Sequence, residues 1–190
     1  MKLVPVSKKI IIAFIIGVLF FAGLVFLPDD RIQRSGDLNQ NGNNEVYILS
    51  GERLSVKENG KLLWESPPAW KVTAFTLGDA TNDGRRDLAM VVWKRGSFGH
   101  HRPFWIKKDQ VYSNHLFLYD LSGDHLRQVW LSSALDRPID QLLIIDINND
   151  SENELKVRER AFLIPGKVVV PIVMEETIWK WETWGFSRLR

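Results

Sequence analysis

Asp37-Leu-Asn-Gln-Asn-Gly-Asn-Asn-Glu45 is echoed twice, as Asp79-Ala-Thr-Asn-Asp-Gly-Arg-Arg-Asp87 and as Asp146-Ile-Asn-Asn-Asp-Ser-Glu-Asn-Glu154. Each copy runs straight into an apolar segment: Val46, Leu88 and Leu155 come next. The second and third copies also follow one, Val72–Leu77 and Gln141–Ile145. A polar corner between apolar runs of four to six residues is the mark of a turn between strands. The repeat extends outward. Trp64-Glu-Ser66 precedes the second corner and Trp130-Leu-Ser132 the third. The unit is thus a strand, a W-x-S strand, another strand and an acidic corner. Four strands in roughly 40 to 50 residues is the size of a propeller blade. The second unit is longer because it carries an insertion, Arg95–Asn114.

Further short runs complete the pattern: Glu45–Leu49, Leu54–Lys57, Leu62–Glu65, Leu88–Trp93, Leu116–Tyr119, Arg127–Leu131, Leu155–Arg158, Val168–Val173 and Thr177–Trp181. No stretch beyond residue 36 sustains a 3.6-residue period. Many short strands with regular turn signals imply an all-β fold. The expected architecture is a small or incomplete β-propeller-like repeat domain of three to four blades over residues 37–190.

The corner has a chemistry of its own. Positions 1, 3, 5 and 9 carry side-chain oxygens in all three copies: Asp37, Asn39, Asn41 and Glu45; Asp79, Thr81, Asp83 and Asp87; Asp146, Asn148, Asp150 and Glu154. Alternate oxygens in a tight loop can converge on one centre, and Ca²⁺ takes six to eight of them. Position 6 needs a sharp turn. Gly42 and Gly84 supply it at no steric cost, whereas Ser151 predicts a strained or differently shaped third loop. The competing reading is metal-free, with Asp and Asn side chains accepting backbone N–H bonds and holding the turn alone.

The pattern D-x-[DN]-x-[DN]-G-x-x-[DE]-[LV] between strands resembles the FG-GAP/VCBS-type repeats of β-propellers. The resemblance spans residues 36 to about 158. It implies a calcium-binding turn in each blade and an extracellular adhesion or ligand-binding module. The chain departs from that family in the Thr81, Arg85, Arg86 and Ser151 substitutions within its turns. It also has room for few blades. Weak, structural calcium is the expectation.

The first 27 residues are of another kind. Ile10–Leu27 is an unbroken run of apolar residues and Gly, with Lys8 and Lys9 before it and Asp29 and Asp30 after it. As a helix it measures roughly 27 Å, about one bilayer core. The lysines place residues 1–9 in the cytoplasm and residues 28–190 outside, on a single-pass plasma-membrane anchor at 10–27. Residues 28–36 read as a linker. A cleaved signal is the alternative, but the run exceeds a 7–15-residue signal core and lacks a clean A-x-A site.

The whole chain of 190 residues carries a formal charge of +2. Removing the three N-terminal lysines leaves 22 basic and 23 acidic residues in 28–190. That balance gives no case for nucleic-acid binding. The absence of Cys removes disulfides, thiolate metal sites and cysteine nucleophiles. There is no G-x-S-x-G elbow, P-loop or G-x-G-x-x-G fingerprint.

The insertion mixes basic and aromatic side chains. Arg95, His100, His101, Arg102 and Trp105 form a candidate surface for a cell-surface protein or polysaccharide. The bland reading is a long hairpin in which Pro103–Ile106 packs as a strand. His115 and His125 read as surface residues near strand ends. Trp64 and Trp130 read as packing between repeats, and Trp179 and Trp181 as sharing one buried strand face. The sequence therefore favours a membrane-anchored extracytoplasmic binding or scaffolding module and no enzyme. The alternatives are a cell-envelope hydrolase or enzyme accessory subunit using 95–114, and an interaction module of a membrane complex.

Overall fold

The computed structural model describes residues 31–99, 101–163 and 170–189. The expected membrane segment 10–27 lies outside the described residues. The described part is all-β, in twelve strands. They are β1 (Ile32–Gly36), β2 (Glu45–Ser50), β3 (Arg53–Glu58), β4 (Lys61–Glu65), β5 (Lys71–Gly78), β6 (Asp87–Arg95), β7 (Tyr112–Ser122), β8 (His125–Leu131), β9 (Ile139–Ile145), β10 (Glu154–Leu163), β11 (Val170–Glu182) and β12 (Gly185–Arg188). They form three four-stranded antiparallel sheets, β1–β4, β5–β8 and β9–β12, each in chain order.

Two expectations need correction. Residues 32–36 are not linker but the edge strand β1, paired with β2 from Ile32↔Leu49 to Gly36↔Glu45. Its side chains are mostly exposed, so an outer edge strand can be polar where a central one cannot. Pro103–Ile106 is not a strand but a turn, closed by the Ile106 N–H on the Pro103 carbonyl at 3.0 Å. Pro lacks the N–H that a ladder needs. From Val170 onward, the runs expected around 168–173 and 177–181 join in one long strand, β11.

The core falls into two layers. Tyr47, Leu49, Leu54 and Val56 of the first sheet meet Leu88, Met90, Val92, Phe117 and Tyr119 of the second. Ala89, Val91, Leu116 and Leu118, on the opposite face of that second sheet, meet Ile139, Leu142, Leu155 and Val157 of the third. Alternation along β6 and β7 thus serves both neighbours, and the middle sheet reads as continuous apolar runs because both faces are buried.

The W-x-S element closes each of the first two sheets in the same way. Ser66 Oγ accepts the Leu54 N–H at 3.1 Å, and the Ser66 N–H donates to the Leu54 carbonyl at 2.8 Å. Ser132 does the same to Leu116, at 2.9 and 3.0 Å. A side chain thereby extends the ladder by one rung past the last strand residue. The tryptophans reach the next sheet, as expected. Trp64 lies 6.3 Å from Tyr119, and Trp130 lies 5.6 Å from Phe186 and 6.4 Å from Trp181. Gly185 makes the second contact possible, because a Cβ there would sit 2.6 Å from Trp130 Nε1.

Candidate functional site

The three acidic corners join the first and second strands of their sheets in one register: Gly36↔Glu45, Gly78↔Asp87 and Ile145↔Glu154. Their internal bonding repeats too. The position-1 carboxylates Asp37, Asp79 and Asp146 accept the N–H of position 6 (Gly42, Gly84, Ser151) at 2.8–3.0 Å. Asp37 and Asp79 also take the position-5 N–H at 3.1 Å, where Asp146 takes that of Asn149 at 2.7 Å. Position 5 accepts the position-7 N–H at 2.8–2.9 Å in all three. Position 9 reaches back to the position-2 N–H: Glu45 to Leu38 at 2.8 Å, Asp87 to Ala80 at 3.0 Å and Glu154 to Ile147 at 3.1 Å.

The backbone repeats as well. Position 4 is left-handed at Gln40, Asn82 and Asn149 (φ 59°, 58° and 62°). Position 6 is left-handed at Gly42, Gly84 and Ser151 (88°, 83° and 72°). The third corner is therefore not differently shaped. Ser151 is held in the conformation that Gly adopts freely, and the Asp146 carboxylate bonded to its N–H fixes it there. Corners two and three are also tied together. Asn82 Nδ2 donates to the Asn153 carbonyl (3.1 Å), the Asn153 N–H to Asn82 Oδ1 (2.7 Å), and Asn153 Nδ2 to the Asp79 carbonyl (2.9 Å).

Whether the corners suit a hard cation depends on the oxygens left over. Among the described residues, no three acidic or histidine side chains form a ready-made cation cluster. The donor set is nonetheless all oxygen. In the second corner, burial and the nearby Asp83 and Asp79 push the Asp87 carboxyl up to about 7, against the opposing Ala80 and Thr81 amides. In the first, Glu45 is fully buried and its Oε1 has no hydrogen-bond partner. Burial likewise raises the Glu45 pKa, and Asp37 adds to it. A cation would relieve both. The residues fit calcium in chemistry, with the second corner (Asp79, Thr81, Asp83, Asp87) carrying three carboxylates. Glu58, at the end of β3, adds an acid to the first corner that the repeat pattern did not reveal: its Oε1 accepts from Asn41 Nδ2 (2.8 Å) and Asn39 Nδ2 (3.2 Å). The β2–β3 register sets it opposite Glu45, a placement that the folded sheet decides.

The insertion, residues 96–111 between β6 and β7, leaves from the end of the second sheet opposite its corner. Arg95 and Arg102 share an open depression there with Lys94, Phe98 and Asp109. Trp105 is elsewhere, two-thirds exposed and edge-on to Phe104 at 4.9 Å. His101 is exposed, and His100 lies outside the described residues. Of the four described ligand candidates, the structure gathers two, Arg95 and Arg102.

What anchors the insertion is His115, which is not a surface residue but fully buried. Its Nδ1 lies 3.0 Å from the Ser132 carbonyl, and its Nε2 lies 3.0 Å from Ser113 Oγ and 2.9 Å from the Gly96 carbonyl. Burial pushes its pKa below the usual value, with Lys94 adding and the Ser132 carbonyl opposing. The Ser113–His115 pair has the spacing of a nucleophile and base, but both side chains are buried. Ser113 Oγ also bonds the Gly96 carbonyl at 3.0 Å, so the pair holds the root of the insertion. Asp109 completes the root by accepting the Ser97 N–H (2.5 Å) and Oγ–H (2.8 Å).

No protein-family model matches this chain, and no curated protein matches it either.

Proposed function

We propose that this chain is a membrane-anchored extracytoplasmic binding or scaffolding module of the FG-GAP/VCBS type. Its three sheets act as blades of a small, incomplete propeller, and its acidic corners take calcium as a structural ion. The observation that carries the reading is the corner itself, with one register and one bonding scheme in three successive sheets. The anchor rests on the apolar run 10–27 and its flanking lysines. When bound, calcium supplies charge neutralisation. The chain's own part is to hold the position-1 carboxylates on backbone amides and, in the first corner, to leave Glu45 Oε1 without another partner.

A hydrolytic role would need a protonated acid facing a base across a cleft. Asp140 lines such a cleft. Burial opposes its ionisation, but hydrogen bonds from Arg160 and Arg158 together outweigh it and hold its pKa below the usual range. That favours binding over acid catalysis.

The test is thermal melting of the full chain in detergent with 1–10 mM calcium or with chelator. Extracellular calcium modules bind at roughly 10⁻⁴–10⁻³ M. Calcium in excess of that should raise the midpoint, since stabilisation follows RT ln(1 + [L]/Kd). Identical midpoints would leave the corners as hydrogen-bonded turns.

A further inference from the structure

On the second and third sheets, the position six residues before each corner is a bulge. Thr73 is skipped between the pairs Val72↔Val92 and Ala74↔Val91, and Asp140 between Arg158↔Gln141 and Glu159↔Ile139. The corners begin at Asp79 and Asp146, so Thr73 and Asp140 are repeat-equivalent. Trp93 and Arg160, each fourteen residues after the start of its corner, are equivalent as well. Bulges re-aim side chains and gather next to binding sites. Here the two bulge residues line one cleft of about 410 Å³, with Trp93 and Arg160 beside them. Cavities of roughly 300–1,000 Å³ are the size that holds small organic ligands.

The remaining walls come from all three sheets. Glu52, in the β2–β3 turn, reaches in from the first sheet and pairs with Lys71 of β5 at 2.8 Å. Tyr112, where the insertion returns to β7, stacks on Trp93 at 5.6 Å with the rings 20° from parallel, and it stays almost half exposed. Asp140 is pinned by Arg160 and by Arg158 (3.2 Å). The wall that holds it is fixed from below, because the Ile139 N–H donates to buried Asn114 Oδ1 at 2.9 Å.

We infer that this three-sheet cleft is a binding site for a neutral saccharide, a ligand class that deepens the binding-module reading and rests on it. The chemistry is specific. A pyranose ring has one face of C–H groups, which packs on an electron-rich aromatic face such as the Trp93–Tyr112 pair. Its edge carries adjacent hydroxyls, which a carboxylate or guanidinium engages through two charge-assisted bonds. Glu52 and Asp140 provide acceptors, Lys71 and Arg160 provide donors, and Thr73 adds a hydroxyl. The four charges cancel. Arg158 lies outside the lining and is already paired with Asp140, so a sulfated or uronic-acid polymer would meet two carboxylates with no unpaired cation, and the cleft selects against it. None of the corner residues lines the cleft, so the site stands apart from calcium.

The experiment uses the full chain in a polyoxyethylene detergent, because sugar-headed detergents would compete. Titration calorimetry is run with three neutral hexasaccharides, cellohexaose, maltohexaose and chitohexaose, and with polygalacturonate as the anionic probe. At least one hexasaccharide binds and polygalacturonate does not. Tyr112→Ala and Asp140→Asn each weaken that binding about tenfold or more, which is about 1.4 kcal/mol. Both variants keep the wild-type calcium response in melting, which separates lost binding from lost folding. The inference is overturned if no hexasaccharide binds, if only polygalacturonate binds, or if neither substitution changes the affinity. A preserved calcium shift alongside any of these results overturns the saccharide assignment alone, whereas loss of that shift in the wild type counts against the repeat-module reading.

Discussion

The second and third sheets share a corner, a register and a bulge, yet differ on the face that looks forward along the chain. At matching ladder positions the first sheet carries Tyr47, Leu49, Leu54 and Val56, and the second Ala89, Val91, Leu116 and Leu118. The third carries Lys156, Arg158, Glu176 and Ile178. The first two quartets are buried against the next sheet. The third is tied down by ion pairs instead, Lys156–Glu176 at 2.8 Å and Arg158–Asp140 at 3.2 Å. Stacked repeats need an end whose outer face tolerates water, and charge at the stacking positions provides one. Position 2 of the corner follows the same logic. Leu38 and Ala80 are buried against a following sheet, whereas Ile147 is exposed. The backbone repeat is thus copied three times, while the stacking surface is copied only where a further sheet follows.

Exchanging residues between the two faces tests this most severely. Ala89→Lys places in the second sheet the cation that the matching third-sheet position carries at Lys156. The new charge would be buried between two sheets with no partner, a cost of several kcal/mol, enough to abolish cooperative melting. The counterpart, Lys156→Ala, removes only a partly exposed ion pair and should change stability by less than about 1 kcal/mol. Comparable melting temperatures for the two variants would refute the distinction between stacking and terminal faces.

A second difference is the insertion, whose root His115 holds in the second sheet. The third sheet has Glu175 at the corresponding place, paired with Arg137 on the surface. Burial lowers the His115 pKa in the fold. Its contribution to stability is therefore complete above the unfolded value of about 6.5 and is lost as pH falls through that value toward the folded one. Between pH 7.5 and 5.5, where the Asp87 carboxyl titrates in the opposite sense, the wild type should lose stability relative to His115→Gln as pH falls, read as a difference in the slope of melting temperature against pH. An unchanged slope in the variant would remove His115 from this role.

The smallest expected effect lies in the corners. Ser151→Gly gives the third corner the residue found at Gly42 and Gly84. Relief of the left-handed strain should stabilise the fold by about 0.5–1 kcal/mol, less what the freer unfolded chain gains. Gly84→Ser in the second corner should do the reverse, and opposite signs in urea unfolding would confirm that the corners are equivalent. Equal signs would show that they are not.

Much of this was legible in the residues. The corner and W-x-S repeats carry their own hydrogen-bonding instructions, because an Asp at position 1 can only satisfy amides a few residues ahead. The apolar runs marked seven of the strands to within two residues of their ends, whereas β7 and β10 extend well past the four residues read for each. β1 and β12 were missed because edge strands need neither apolar alternation nor length: Ile32–Gly36 is polar and Gly185–Arg188 has four residues. β11 read as two strands because Glu175 and Glu176 interrupt its apolar run, yet both lie in the ladder opposite Glu159 and Arg158. His115 read as a surface residue because a buried imidazole is recognised by its partners, and Gly96 and Ser132 lie 19 and 17 residues away.

Local spacing determined the three corners and the sharp turn at Gly42 and Gly84, since these depend on bonds spanning fewer than ten residues, and the succession of short apolar runs determined the all-β class. Which faces stack, where the stack ends and which side chains share the cleft were decided only in three dimensions. Glu52, Lys71, Trp93, Tyr112 and Asp140 come from three sheets, and their meeting depends on two bulges and on the packing of one sheet against the next. Such distances between sheets are properties of the packed core, which no stretch of chain encodes by itself.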